Sequence, residues 1–408
     1  MAAIQQLIDQ PTTAILSFYS TEEDTHIFVL RQNQISLHTC EGQGQENLQA
    51  WIREKWLMSY VSDRQTWESQ ITSILSELAE RLQLSQLISQ HLQGIAELIL
   101  VPHLLLHQIP FAALPVEENY LGDKFLIRYI PSCQILEFCQ QRGKLETLHT
   151  NSLQYGTVED ATNDLPFASF EGEQIANLHL IPDQRRLKGK TQATLHNYRQ
   201  LAQKVQVLHS CHHAQSRLDN PLESQLKLGD GSITLGQLMS PSWRLPNLFD
   251  VFLSCCETNL GNPSLTDDIL TLSTGFLCAG ARSVVSTLWS VNDLATALFS
   301  IFYYQQRKEG KSRPEALQQA QIKLRESKKE YLIEEFTEIS KQAELKRKEA
   351  RNQRKQYPVD SPEYLECDRE YRKYAGAMLE ITKLKNNTEE FPFAYPHFWA
   401  AFTCQGLR

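Results

Sequence analysis

Three short apolar runs end in residues that can do nucleophilic chemistry. VQVLHSCHHA (Val205–Ala214) ends in histidines, DVFLSCCET (Asp250–Thr258) in cysteines, and ARSVVSTLWSVND (Ala281–Asp293) in an aspartate. Each run is rich in Val and Leu and short enough to be a buried strand. In open α/β sheets, chemistry collects at the carboxyl ends of parallel strands. A His at the end of one strand and a Cys at the end of the next then meet at one edge. The thiolate is the reactive form of cysteine, and an imidazole within reach generates it. The pattern predicts a Cys–His pair of the cysteine-protease kind.

Alternation sorts these residues. In a strand, His209, Cys211 and His213 share one face and His212 takes the other. The strand should end near Ser210–Cys211, which leaves His213 on the loop beside small Ala214 as the expected base. His209 is expected to pack inside. Cys255 and Cys256 must point opposite ways. Cys256, followed by polar residues, is the expected nucleophile, with backbone N–H groups at the tip available to an oxyanion. The plainer alternatives are a core histidine and a buried, inert thiol. Asp293 has two readings as well. It is either the base of a pocket that pairs with an Arg or Lys side chain, or the cap of the helix that follows.

The elements that must position these residues follow from patterning. Thr13–Leu16, Ile27–Leu30 and Gln34–His38 read as a meander, and Gln45–Leu57 and Gln65–His91 as helices. Ile95–Val101 and Phe125–Ile130 read as strands around the proline-broken Pro102–Val116, with a helix over Pro131–Gln140. The polar stretch Gly143–Thr162 is the expected boundary between units at 1–150 and 151–408. Helices are expected at Asp164–Leu178, Thr191–Lys204, Asp268–Ala279, Ala295–Lys308 and Arg313–Glu326. A charged segment, about 325–390, reads as a solvated helical hairpin broken near Tyr357–Pro362. HFWAAFTCQG (His397–Gly406) reads as a last strand that closes the sheet.

Composition excludes several classes. The 408-residue chain is 41% hydrophobic and 22% charged, an ordinary globular balance. A net charge of −8 argues against nucleic acid as a direct partner. The nine cysteines contain no C-x-x-C pair, which predicts free thiols, a reducing compartment and no metal site. The start lacks the build of a signal peptide, and no apolar run suits a membrane span, so a cytoplasmic protein is expected.

Several motifs in order resemble the CHAT domain, a caspase-like and separase-like group of clan CD cysteine proteases. LHSCHHA resembles the family's H-x-x-x-H-G, with Ala214 at the usual Gly. LSCCET resembles L-S-A-C-x-T. AGARSVVSTLWSVND and PHFWAAF are close to the family's A-G-A-R-S-V-V and P-x-x-W-A-A-F segments. LILVPHLLLHQIPFAALP and DLPFASFEGEQIANL match its upstream segments. The resemblance implies an α/β, caspase-like three-layer sandwich with a mostly parallel central sheet. It also implies a smaller pseudoprotease-like unit before it and the hairpin as an insertion. It implies a cysteine endopeptidase with His213 and Cys256 catalytic, and the N–H groups of Ala214 and Cys256 as oxyanion donors. Asp293, with Trp289 and Ser254, would bind a substrate residue that is basic, Arg over Lys. No cofactor is expected. The expected partners are a protein or peptide substrate and a regulatory protein or attached repeat domain. The alternative is a catalytically silent or partner-activated interaction module.

Overall fold

The computed structural model describes residues 2–143, 153–255, 258–261 and 269–408. Eleven of their strands form one large sheet. In chain order its members are β1 (Thr13–Ser20), β2 (Thr25–Arg31), β3 (Gln34–Cys40), β4 (Glu97–Val101) and β5 (Leu126–Tyr129). They continue with β6 (Tyr155–Glu159), β7 (Arg186–Lys188), β8 (Val207–Cys211), β9 (Asp250–Leu253), β10 (Ser283–Thr287) and β11 (Phe402–Gly406). Across the sheet the order is β3-β2-β1-β4-β5-β11-β10-β9-β8-β6-β7. Most neighbours are parallel; β1–β2, β2–β3 and β10–β11 are antiparallel. The fold is the mixed α/β, caspase-like class with a mostly parallel central sheet.

Burial on both faces explains why the strands read as continuous apolar runs. Successive residues alternate between two cores. Val207, Phe252 and Val285 join one core, with side chains from helices α3 (Pro166–His179), α6 (Asp293–Lys308) and α7 (Arg313–Arg325). Leu208, Val251, Leu253 and Val284 join the other, with α4 (Leu195–Lys204) and α5 (Leu272–Ala279). In the first half of the chain, α1 (Arg64–Arg81) packs Trp67, Ile71 and Leu78 into the first of these cores, and α2 (Cys133–Gly143) places Leu136 in a smaller one. The helix expected over Gln65–His91 is split at Leu82–Gln83, where Gln83 takes a left-handed φ of 50°, into Arg64–Arg81 and Leu84–His91.

The structure adds one strand that the sequence did not show and corrects the place of another. The polar stretch 143–162 holds strand β6, buried between β8 and β7. Its polar residues are internally satisfied: Thr157 donates to Glu159, which also takes two hydrogen bonds from Arg186. The last strand does not close an edge. Pro396–Trp399 is a helical turn, and β11 runs mid-sheet between β5 and β10, where the strands of the two chain halves meet. Because β10 and β11 are antiparallel, the carboxyl ends of β4 and β5 emerge at one edge of the sheet. Those of β8, β9 and β10 emerge at the opposite edge.

The charged segment forms α8 (Lys329–Glu335) and then a hairpin of α9 (Thr337–Arg354) and α10 (Pro362–Asn386). Ile339 and Ala343 from α9 and Ala377, Ile381 and Leu384 from α10 belong to the main core, so the base of the hairpin is seated on the body. Nearer its turn, Arg354 lies over the rings of Tyr364 and Tyr371 and pairs with Asp368. Among the described residues, no helix is long and apolar enough to cross a membrane.

Candidate active site

Strand β8 is buried along its length because β6 and β9 pair with it on either side. Its alternation sends His209 and Cys211 toward α3 and Ser210 toward α4. His209 Nε2 lies 2.9 Å from Glu171 Oε1, both side chains nearly sealed from solvent, and its ring sits against Phe252 and Tyr304. Ser210 Oγ lies 3.0 Å from Tyr198 Oη. His209 is therefore the packed histidine. Glu171, His209 and Cys211 place a carboxylate oxygen, a ring nitrogen and a sulfur within 4.8 Å of one another, a donor set that suits zinc. Burial holds the Cys211 thiol well above its usual pKa, and its Sγ lies 3.4 and 3.2 Å from the carbonyl oxygens of Val158 and Ala168.

Past the end of β8 the chain turns across the sheet edge. His212 is buried, and burial pushes its imidazole down to about 4, so it is neutral at pH 7. His213 is partly exposed, and its Nε2 lies 3.1 and 3.2 Å from the two Asp164 oxygens. Burial works against the Asp164 charge. A hydrogen bond from Thr162 and the neighbouring imidazole outweigh it and hold the carboxyl below its usual range. Ala214 opens a short antiparallel pairing with Gln225–Lys227. Lys227 N–H donates to His213 O at 2.9 Å. That bond makes Ala214–Leu226 a non-hydrogen-bonded pair, with the Ala214 N–H turned away from its partner strand.

The end of β9 enters the same region. Ser254 N–H donates to Ser210 O at 2.9 Å, and its Oγ lies 3.3 Å from Ser300 Oγ on α6. Cys255 is buried; its Sγ donates to Ser210 O at 3.3 Å, and its carbonyl accepts from Thr287 Oγ1 at 2.6 Å. Cys256, expected as nucleophile and oxyanion donor, lies outside the described residues.

The third motif forms the opposite wall. Asn292 caps α6, its Oδ1 accepting from Leu294 N–H and Ala295 N–H. Asp293 is the first helical residue, so the capping role falls to its neighbour. Asp293 keeps one face open to solvent, yet enough protein surrounds it that desolvation pushes its carboxyl above the usual range. Nearby His213 opposes that shift; Glu171, Glu380 and Asp164 add to it. Trp289 is not brought to this wall. It is sunk among Trp56 and Trp67, and its Nε1 donates to His397 O at 3.0 Å. It anchors the loop instead: the next residue, Ser290, is held through its N–H by Tyr60 Oη and through its carbonyl by Arg64.

Between these walls lies a cleft of about 320 Å³ lined by His212, His213, Ser254, Cys255, Ser290 and Asp293, among others. The structure thus gathers His213, Ser254 and Asp293 from three strand ends. Asp164 was missed in the sequence, since it lies 49 positions before His213 with no motif to tie them. A neutral imidazole, a carboxylate-held imidazole and an open carboxylate beside a cysteine-bearing strand tip can activate a thiol and receive a cationic side chain.

Residues 72–407 match the CHAT domain. No curated protein matches the chain. Two crystal structures of the Saccharomyces cerevisiae separase–securin complex superpose with TM-scores of 0.50 and 0.52 at 12% and 11% identity, over 78% of this chain. The match spans only 30% and 29% of the other chain, so this chain corresponds to a fraction of a longer protein there. The Arg-specific cysteine proteinase gingipain R matches with a TM-score of 0.41 at 10% identity, over 65% of this chain and 63% of that one. At these identities the separase likeness bears on the fold.

Proposed function

The chain belongs to the CHAT domain family, and from that premise we propose that it is a cysteine endopeptidase of the caspase-like and separase-like type, cutting after a basic residue. One observation carries the proposal: His213, Asp293 and the strand tip leading into Cys256 share one cleft. Asp164 on Nε2 orients the His213 ring and leaves Nδ1 to take the thiol proton. The Cys256 sulfur attacks the peptide carbonyl carbon. The N–H groups of Cys256 and Ala214 receive the oxyanion. The C–N bond breaks as the imidazolium gives its proton to the leaving amine. Water, with His213 again taking its proton, then frees the acid from the thioester.

Asp293 gives the specificity. Its carboxylate meets the guanidinium of the residue before the cut bond, and the planar fork of Arg suits it better than the point charge of Lys. Ser254 fills the neighbouring wall with a small polar group. A protein or peptide substrate fits a cleft that is open at the sheet edge. The separase of the matching structures is in complex with securin, and by analogy a regulatory protein partner is proposed here too. The test is hydrolysis of fluorogenic peptides ending in Arg. Cleavage by the unaltered chain and none by Cys256→Ala supports the proposal. Equal cleavage by both refutes the nucleophile assignment.

A further inference from the structure

Helix α10 touches both walls of the cleft. On the His213 side the turn Asp160–Leu165 is organised by one buried carboxylate. Asp160 sits at a left-handed φ of 46°, a conformation that costs energy for a residue with a Cβ. Its Oδ1 accepts from Asp164 N–H and Leu165 N–H, both at 2.9 Å, and its Oδ2 accepts from Ser169 Oγ at 3.0 Å. This charge is almost wholly buried, and its counter-ion comes from the hairpin. Lys373 Nζ, itself nearly buried, pairs with Asp160 Oδ2 and lies 3.5 Å from Ser169 Oγ. On the Asp293 side, Asn292 Nδ2 donates to Glu380 Oε2 at 3.3 Å, and Asn292 is the cap that sets where α6 begins. Lys373 and Glu380 are two turns apart on one helix face, a span of about 10 Å.

We propose that the hairpin is a positioning clamp for the reaction. Lys373 acts through Asp160 to place Asp164 and with it His213. Glu380 acts through Asn292 to place Asp293. The charged insertion then sets the distance between base and specificity carboxylate, and a partner that shifts α10 would retune both. This deepens the peptidase reading and rests on it. The chemistry also asks for such a device, because a misplacement of about 1 Å costs roughly 10²-fold in rate.

The experiment uses the full chain with Lys373→Met, Lys373→Arg and Glu380→Ala. A double variant, Lys373→Met with Asp160→Asn, removes the ion pair without leaving a lone buried charge. Two readouts are taken: steady-state kinetics on Arg-ended peptides, and the pH profile of Cys256 alkylation by iodoacetamide, which needs no peptidase activity. The clamp predicts that Lys373→Met and the double variant lose roughly 10- to 100-fold in kcat with little change in KM. Both should move the alkylation profile, and Lys373→Arg should restore it. Glu380→Ala, which removes the acceptor for Asn292 Nδ2, should instead raise KM for Arg-ended peptides. Should Lys373→Met fail to fold, the double variant carries that arm. Unchanged kinetics and an unchanged alkylation profile in folded variants overturn the clamp. If the unaltered chain cleaves no peptide, the peptidase reading fails, while a shifted alkylation profile still supports the clamp.

Discussion

At the carboxyl end of β4 the chain turns into Pro102–Val116; at the carboxyl ends of β8 and β9 it turns into His212–Ala214 and Ser254–Cys255. Each turn follows a parallel, packed strand, and the turns after β4 and β8 carry histidine. The outcomes differ. After β4, Leu105, Leu106, Ile109 and Phe111 fold back and are no more than 2% exposed, so the crevice is filled. His103 is used up there: its Nδ1 accepts from Ser20 N–H at 3.1 Å, and its ring lies beside Tyr19. After β8 the turn residues are His212, His213 and Ala214, after β9 Ser254 and Cys255, and a cleft stays open beside His213. A strand-end histidine becomes available for chemistry when the chain after it leaves room, and packing alone decides that.

The contrast can be broken most sharply at the two histidines. His213→Ala should lower kcat on Arg-ended peptides by roughly 10²- to 10⁴-fold, the usual worth of a general base. His103→Ala should leave kcat within about twofold and instead remove a backbone hydrogen bond worth about 1 kcal/mol. Steady-state kinetics and thermal melts of both variants decide the matter; comparable kinetic losses would erase the distinction between the two edges.

A smaller effect is expected at the carboxylate wall. Asp293→Asn should cut kcat/KM for Arg-ended peptides on the order of 10²-fold while sparing neutral-ended ones. Its pH dependence has a definite sign. The cation is bound by the ionised carboxylate, so selectivity for Arg is present at high pH and lost as pH falls. Because burial raises the Asp293 pKa, that loss should begin above the ordinary carboxylate range. An acid limb equal for Arg-ended and neutral-ended peptides would detach Asp293 from specificity. The smallest effect is expected from Ala214→Gly, which keeps the N–H; kcat should stay within about threefold.

Much of this was legible in the chain itself. Short continuous apolar strands, the hairpin with its break before Pro362, and the three strand-end motifs all depend on local pattern, which sequence displays directly. What stayed hidden depends on distant partners. Tyr155–Glu159 reads as linker because two of its five residues are Thr157 and Glu159, whose burial is tolerable only beside Arg186. Trp289 reads as a site residue from its motif, yet Trp56 and Trp67, more than 200 positions earlier, claim its ring. Asp164 and Lys373 carry no signature, since their roles exist only once α3 and α10 are packed against the edge.

The most direct test of the open, His213-dependent edge is site-resolved labelling with an electrophilic peptide ending in Arg. The labelled cysteine is identified by mass spectrometry in the unaltered chain, in His213→Ala and in Asp293→Asn. The account predicts label on Cys256 alone, abolished by the first substitution and weakened by the second. Label on another cysteine, or on Cys256 at the same rate without His213, would contradict it.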